Sequence, residues 1–246
     1  MKTGMRRICT LPIRCLAVVG LLAVAAYASY VGLAWCRYGQ TNRTANDGSG
    51  DTHLESLIPV YDVVERLQVH VAAPAELTFS VACNLRLLRS GLIRAIFRTR
   101  RFVLGGTADE NRQEMGLADQ ARAWGWSTLA EQPGREIVFG AVTQPWVANP
   151  VFRGLSPAEF CSFQEPGFVK IAWTLRADPI DPANSIASTE TRVATTDAAA
   201  RAKFRRYWAF VSPGTILIRF LALRRVRTEA ERSQAIPLLP EELQDR

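Results

Sequence analysis

Residues 188–226 constrain the fold more than any other stretch, because an alternating segment there runs directly into a long helical one. The first part alternates with a period of two residues, which predicts a strand. Asp197 follows it and can cap a helix by accepting from first-turn N–H groups. That helix carries a stripe at i, i+3, i+4 and i+7, formed by Phe204, Tyr207, Trp208 and Val211. Three large rings on one helix face need a broad apolar partner, and a curved sheet would supply it.

The second half of this helical stretch contains a proline. Ser212-Pro213 predicts a cap followed by the first residue of a new helix, with one kinked helix as the alternative. From Ile216 to Leu223 the pattern is apolar nearly all round and is broken only by Arg219. Such a pattern predicts a helix that is enclosed on most sides. Residues 233–246 form a C-terminal tail.

The N-terminal segment has the pattern of a membrane anchor. Residues 1–14 carry four basic side chains and no acid, and the 22 residues from Cys15 to Cys36 are uncharged. That length is enough to cross about 30 Å of hydrocarbon as a helix, so we predict a single transmembrane helix over residues 15–36. The charge asymmetry predicts a cytoplasmic N-terminus with the rest of the chain outside. A cleaved signal sequence is the alternative, because Ala26-Tyr27-Ala28 has the small-x-small pattern.

The net charge of +7 is mostly a property of this anchor. Without residues 1–36, 26 basic side chains face 23 acidic ones, so the excess is small and we predict no nucleic-acid partner. Residues 37–56 are rich in Gly, Ser, Asn and Asp, which predicts a flexible linker. The folded domain is predicted over residues 57–232.

The start of this domain resembles a known superfamily. A strand over residues 61–73 ends in Val71-Ala72-Ala73-Pro74-Ala75-Glu76, which predicts a helix with proline at its first position, and Phe79 follows. With the later strands and the aromatic C-terminal helix, this order resembles the SRPBCC (START-like, Bet v 1-like) helix-grip proteins. The likeness extends to bacterial members with a Thr-Glu-Thr-Arg-Val strand, here residues 189–193, followed by an Arg/Phe/Tyr-Trp helix, here residues 201–208.

The resemblance implies an α+β helix-grip fold, in which a curved, seven-stranded antiparallel sheet wraps around the long C-terminal helix and leaves a cavity between them. It also implies a bacterial protein. Combined with the anchor, this predicts an inner-membrane, single-pass location with the domain in the periplasm.

Further elements follow from local signals. Residues 85–102 predict a basic amphipathic helix, and the Pro133-Gly134 turn predicts a hairpin. A short helix is predicted at Ser156-Pro157, and a strand over residues 168–177. The arginines of the basic helix are predicted to be solvated or, alternatively, to contact anionic membrane headgroups. The candidates for that contact are Arg86, Arg89, Arg94 and Arg98.

The chain has few of the residue patterns that catalysis or metal binding requires. Two histidines and no close cysteine pair predict no metal site, and no glycine-rich phosphate loop is present, so we predict no cofactor. No nucleophile elbow occurs either. Cys83 and Cys161 are the two cysteines of the domain, and one disulfide between them is an open alternative.

The candidate ligand site is a set of aromatic and charged side chains. Glu190 and Arg192 share one strand face, where they are either solvent-side charges or, if that face points into the cavity, polar anchors for a ligand. The cavity candidates are Trp173, Ile171, Glu190, Arg192, Tyr207 and Trp208. For the aromatic residues, core packing is the alternative. We predict a module that binds a lipid-like or polycyclic hydrophobic molecule, with a cyclase/dehydrase-like enzyme or a membrane-tethered interaction module as alternatives.

Overall fold

The structure of the chain, a computed structural model, describes residues 10–37, 43–44, 52–104 and 115–235. The predictions for residues 1–9, for most of the linker and for the tail beyond residue 235 lie outside the described residues.

The described part is an α+β fold with a small and a large antiparallel sheet. The small sheet pairs β1 (Arg43–Thr44) with β2 (Val60–Tyr61). The large sheet contains β3 (Val63–Val71), β4 (Ser127–Gln132), β5 (Glu136–Thr143), β6 (Val169–Asp181) and β7 (Asn184–Thr195), in the order β3-β7-β6-β5-β4. The described part of the chain thus has five strands in its main sheet, where the family resemblance implied seven.

Seven α-helices accompany the sheets in the described residues. They are α1 (Thr10–Arg37), α2 (Thr52–Leu57), α3 (Ala75–Asn84), α4 (Gly91–Leu104), α5 (Leu117–Ala123), α6 (Pro157–Ser162) and α7 (Ala198–Ala235). A 3-10 turn at Leu87–Arg89 precedes α4. Among these described residues, no helix combines the length and apolar character needed to cross a membrane. The transmembrane helix over residues 15–36 stays a prediction.

Several local predictions are confirmed. Ser156 caps α6 in a capping box with Glu159, and the hairpin of β4 and β5 turns at Gly134, whose φ is +72°.

The helix after the first long strand begins at Ala75, so Pro74 is its cap residue rather than its first residue. The folded part begins earlier than predicted, because Leu54 of α2 is fully buried. Cys83 and Cys161 are both free.

The C-terminal helix is continuous, and the predicted break at Ser212-Pro213 is wrong. Asp197 caps α7 as expected, its carboxylate accepting from the backbone N–H of Ala200 at 2.8 Å. Pro213 removes one backbone donor from the helix interior. The Tyr27 hydroxyl of α1 donates to the Phe210 carbonyl oxygen at 2.6 Å, and Tyr30 lies 3.1 Å from the Ser212 hydroxyl. The helix nevertheless continues through Pro213 to Ala235, which agrees with the alternative of a single helix.

The two faces of the main sheet are covered differently. We call the face toward α7 the front face; Thr189, Thr191 and Val193 of β7 lie on it. The opposite face, here called the back face, is covered by α2 and α6 through Leu54, Ile58 and Phe160, all almost completely buried. Register pairs Trp173 of β6 with Thr191 of β7, which places the large ring beside a short side chain on the front face.

Candidate functional site

A cavity of about 810 Å³ lies between the front face of the sheet and α7. Strands β6 and β7 form one wall, and the opposite wall is the inward side of α7. The main wall residues are Ile171, Trp173, Leu175, Thr189, Thr191 and Val193 on the sheet and Tyr207, Trp208, Val211, Thr215, Ile218, Arg219 and Ala222 on the helix.

The cavity exists because α7 is packed tightly at two separate places. Near its start, Phe204 and Trp208 are 2% and 5% exposed and pack with Val193 and other front-face valines. Near its end, Leu223 and Val226 belong to a second buried cluster. Between these anchors α7 carries Thr215 and Ala222, and the facing strand carries Thr189 and Thr191. Short side chains on both walls leave space that the neighbouring anchors prevent from collapsing.

The rest of the enclosure comes from the region around α3 to α5 and from a loop. Leu85, Leu87 and Leu88 line one side, and the loop over residues 145–152 forms part of the rim. The rim loop approaches Gly125 so closely that a Cβ there would lie 2.2 Å from the Phe152 carbonyl oxygen. Gly125 also has a φ of +92°, a conformation that favours glycine. The rim is therefore held against the sheet, with the Trp126 and Phe152 rings stacked 5.0 Å apart.

Arg219 supplies a cation to this apolar cavity. Its Nη2 group donates to the Thr191 hydroxyl at 2.6 Å and to the Thr189 hydroxyl at 3.3 Å. Its Nη1 group donates to the Glu65 carbonyl oxygen at 3.3 Å. The side chain thus reaches from α7 to the two strands at one side of the sheet.

Burial lowers the pKa of the Arg219 guanidinium to about 10, while the more distant charges of Glu65 and Glu190 act in the opposite direction. The group therefore carries a full positive charge near neutral pH. A charge in such surroundings is costly unless it is matched by an opposite charge or by good hydrogen bonds.

The other charged groups at the cavity are arginines as well. Arg94 and Arg98 line it from α4, and Arg176 lines it from β6. Arg176 is already engaged, since its Nε donates to Asp178 at 2.7 Å. Among the described lining residues, every charged side chain is thus an arginine.

The structure brings four of the six predicted cavity residues together. The four that line the cavity are Ile171, Trp173, Tyr207 and Trp208. Trp208 also packs in the core, so core packing and cavity lining both apply to this residue. Glu190 and Arg192 do not line it, because they lie on the back face. They are not solvent-side charges either, since Arg192 is 0% exposed and Glu190 is buried.

On the back face these two residues form a buried ionic network with Arg66. Glu190 accepts from Arg192 Nε at 2.7 Å and from Arg66 Nε at 2.5 Å. Arg192 also donates to the Ile58 carbonyl oxygen at 3.3 Å, and its guanidinium carbon lies 5.0 Å from the centre of the Tyr61 ring. The arrangement joins the segment before β3 to the middle of the sheet.

The four arginines predicted as membrane-surface candidates fall into two pairs. Arg86 and Arg89 are exposed beside the 3-10 turn, and Arg94 and Arg98 line the cavity from α4. Contact of any of them with a membrane stays a prediction.

Sequence reasoning missed Arg219 and its two threonine partners as site residues. The signal was present, because Arg219 is the single charged residue in the apolar run over residues 216–223. Alternation puts Thr189 and Thr191 on the strand face opposite to Glu190 and Arg192, but nothing in it indicates that this face is the cavity wall.

Neither a protein-family model nor a curated protein sequence matches this chain. Among solved structures, it is similar to a hypothetical protein of Helicobacter pylori (4% identity, TM-score 0.33), with 72% of this chain and 92% of that one covered. It is also similar to CalU16 of Micromonospora echinospora (12% identity, TM-score 0.25), with coverages of 69% and 84%. A third likeness is to the Zhui aromatase/cyclase of Streptomyces sp. R1128 (16% identity, TM-score 0.22), with coverages of 70% and 95%. At these TM-scores the likenesses carry no argument.

Proposed function

We propose that this chain is a helix-grip protein of the SRPBCC type and that it binds a hydrophobic, lipid-like or polycyclic molecule in the cavity between its sheet and α7. The observation that carries the proposal is the cavity itself, about 810 Å³ in volume and walled mainly by apolar and aromatic side chains. Pockets for small molecules commonly have volumes of about 300–1,000 Å³ and such walls, with few polar groups to fix orientation.

The energetics of burial favour an apolar occupant. Each methylene group transferred from water into such a cavity contributes about 0.8 kcal/mol. An occupant with a chain or ring system of ordinary lipid size would therefore gain binding energy mainly from its apolar part. The hydroxyls of Thr189 and Thr191 and the Arg219 guanidinium supply a small polar region on one wall.

The test is binding of a neutral apolar dye to the full chain and to a variant with a filled cavity. Nile red fluorescence is expected to rise on titration with the wild-type chain. Ala222→Phe places a ring in the cavity and is expected to weaken the dye's affinity by about tenfold, equivalent to about 1.4 kcal/mol. Ala202→Phe is the matched control, because Ala202 is an exposed residue of the same helix that does not line the cavity.

Equal affinities for Ala222→Phe and the wild type, with an unchanged melting temperature, would contradict the proposal. A loss of affinity in Ala202→Phe as large as that in Ala222→Phe would contradict it too, since the dye would then bind outside the cavity.

We also propose that residues 15–36 hold the chain in a bacterial inner membrane, with residues 1–14 in the cytoplasm and the folded part in the periplasm. In this arrangement the part of α7 around Phe210 and Ser212, which contacts Tyr27 and Tyr30, lies against the anchor at the membrane. The proposal rests on the sequence, namely the uncharged run and the basic residues before it. Alkaline phosphatase fused after Arg246 is expected to be active, because it folds to its active form outside the cytoplasm. Full activity of a cytoplasmic reporter at the same position would contradict it, and N-terminal sequencing of the mature chain decides between an anchor and cleavage after Ala28.

A further inference from the structure

We propose that the natural ligand is a hydrophobic organic acid and that Arg219 is the residue that selects it by binding its anionic group. This inference rests on the proposed function, since it names the class of molecule that the same cavity takes.

The first support is the environment of the Arg219 guanidinium. Its protein partners are two hydroxyls and one backbone carbonyl oxygen, all of them neutral. In the described part of the chain, no carboxylate lies within ion-pair distance of it. Glu65 offers its backbone oxygen as the hydrogen-bond partner, while its carboxylate acts only from beyond ion-pair distance, and Glu190 is bound to Arg66 and Arg192 on the back face. A cation whose hydrogen-bond partners are all neutral is only partly compensated by these more distant charges, and an anionic ligand group would compensate it more fully.

The second support is the set of donors that converge at this point. A guanidinium has five N–H donors in a planar fork that matches a carboxylate, and the contacts within the described residues engage Nη1 and Nη2 rather than Nε. The hydroxyls of Thr189 and Thr191 accept from Arg219 and still have their own O–H groups to donate. One guanidinium and two hydroxyls therefore converge on a single position on the cavity wall.

The third support is the charge at the cavity as a whole. Arg94 and Arg98 lie one helical turn apart on α4 and line the same cavity. A cavity whose charged lining residues, within the described part, are all arginines attracts anions and disfavours cations. Because Arg219 is the single cation held beside the Thr189 and Thr191 hydroxyls, the structure favours a ligand with one acidic group on an apolar body.

The experiment compares two fluorescent probes with the same apolar chain, cis-parinaric acid and its uncharged methyl ester, on the full chain near neutral pH. The wild type is expected to bind the acid about tenfold to 100-fold more tightly than the ester, the range for hydrogen bonds to a charged group. In Arg219→Gln the two affinities are expected to become nearly equal while the ester affinity stays close to that of the wild type. Arg219→Lys keeps the charge without the fork and is expected to retain an intermediate preference.

Arg224→Gln is the matched control, because Arg224 is an exposed arginine of the same helix that does not line the cavity. It is expected to leave the preference for the acid unchanged. Thr191→Val tests the same subsite if Arg219→Gln does not fold, because it removes the acceptor that orients the guanidinium. It is expected to reduce the preference several-fold.

The outcomes separate this inference from the proposed function. Tight binding of the ester with no preference for the acid in the wild type would overturn the inference and leave the proposed function standing. The same holds for a preference that persists in full in Arg219→Gln, or in Thr191→Val if Arg219→Gln does not fold. Binding of neither probe would overturn both.

Discussion

Glu190 and Arg192 show what strand alternation can and cannot tell about a charged pair. Alternation places both on one face of β7, which is correct, but the environment of that face depends on elements distant in sequence. The segment over residues 52–61 covers the back face, so the pair is buried beneath Ile58 and Tyr61 rather than exposed to solvent or to a ligand. Buried pairs of this kind are costly to break, because removal of one partner leaves the other charge uncompensated.

Glu190→Gln should therefore destabilise the fold. We expect the free energy of unfolding to fall by about 3 kcal/mol, the lower end of the range for a broken buried pair, since the amide oxygen can still accept. Urea unfolding followed by circular dichroism measures it. The control is Glu165→Gln, which breaks the exposed ion pair with Arg153 and should cost less than about 1 kcal/mol. Equal small losses in both variants would mean that the network on the back face contributes little.

Cys83 provides a pH-dependent prediction. Burial raises the pKa of its thiol to about 11 from an ordinary 9.0; the charges of Glu131 and Asp119 add to the rise, and that of Arg122 opposes it. Because the folded-state pKa is the higher one, the folded chain keeps this proton where the unfolded chain loses it. The resulting contribution to stability is complete below pH 9 and is lost between about pH 9 and 11.

Alkylation by iodoacetamide, followed residue by residue with peptide mass spectrometry, tests this assignment. At pH 9 we expect Cys83 to react slowly in the folded chain and much faster in urea, since the thiolate is the reactive form. The exposed Cys161 serves as the internal control and should react readily in both. Equal rates for Cys83 with and without urea at pH 9 would contradict the assignment.

Among the elements, α7 is the one for which the sequence left two alternatives open, a break at the proline and one kinked helix. A serine and a proline in succession predict a helix start, and local propensity alone favours that interpretation. The structure keeps one helix of 38 residues through the proline, and Tyr27 and Tyr30 of α1, about 180 positions away in the chain, contact it there.

The aromatic anchor of α7 can be tested by truncation. Phe204 is 2% exposed and stacks on Trp208 with ring centres 5.7 Å apart, so Phe204→Ala should cost about 3–5 kcal/mol. At about 2–4 °C per kcal/mol, the melting temperature should fall by at least about 6 °C. Trp208→Ala should cost less than Phe204→Ala, because part of its ring faces the cavity, and it should change Nile red binding. Melting temperatures within about 2 °C of the wild type in both variants would show that α7 is not anchored here.

At the scale of the whole molecule, the sequence predicted the elements better than the spaces between them. The hairpin at Pro133-Gly134 and the cap at Asp197 follow from local signals, and the α+β class follows from the family resemblance; all three were confirmed. The cavity depends on two separated anchors with short side chains between them, which no local pattern encodes. For the same reason Arg219 was noticed only as an interruption of an apolar run, although the fold makes it the cation of the site.

The most direct test of the central claim is mass spectrometry of the small molecules extracted from the purified full chain, with the Ala222→Phe variant purified in parallel. We expect the wild-type extract to contain one or a few apolar compounds in near-stoichiometric amount, and the variant extract to be strongly depleted in them. Identical extracts from the two proteins, or none from either while Nile red also fails to bind, would contradict a ligand-binding cavity and favour an interaction module instead.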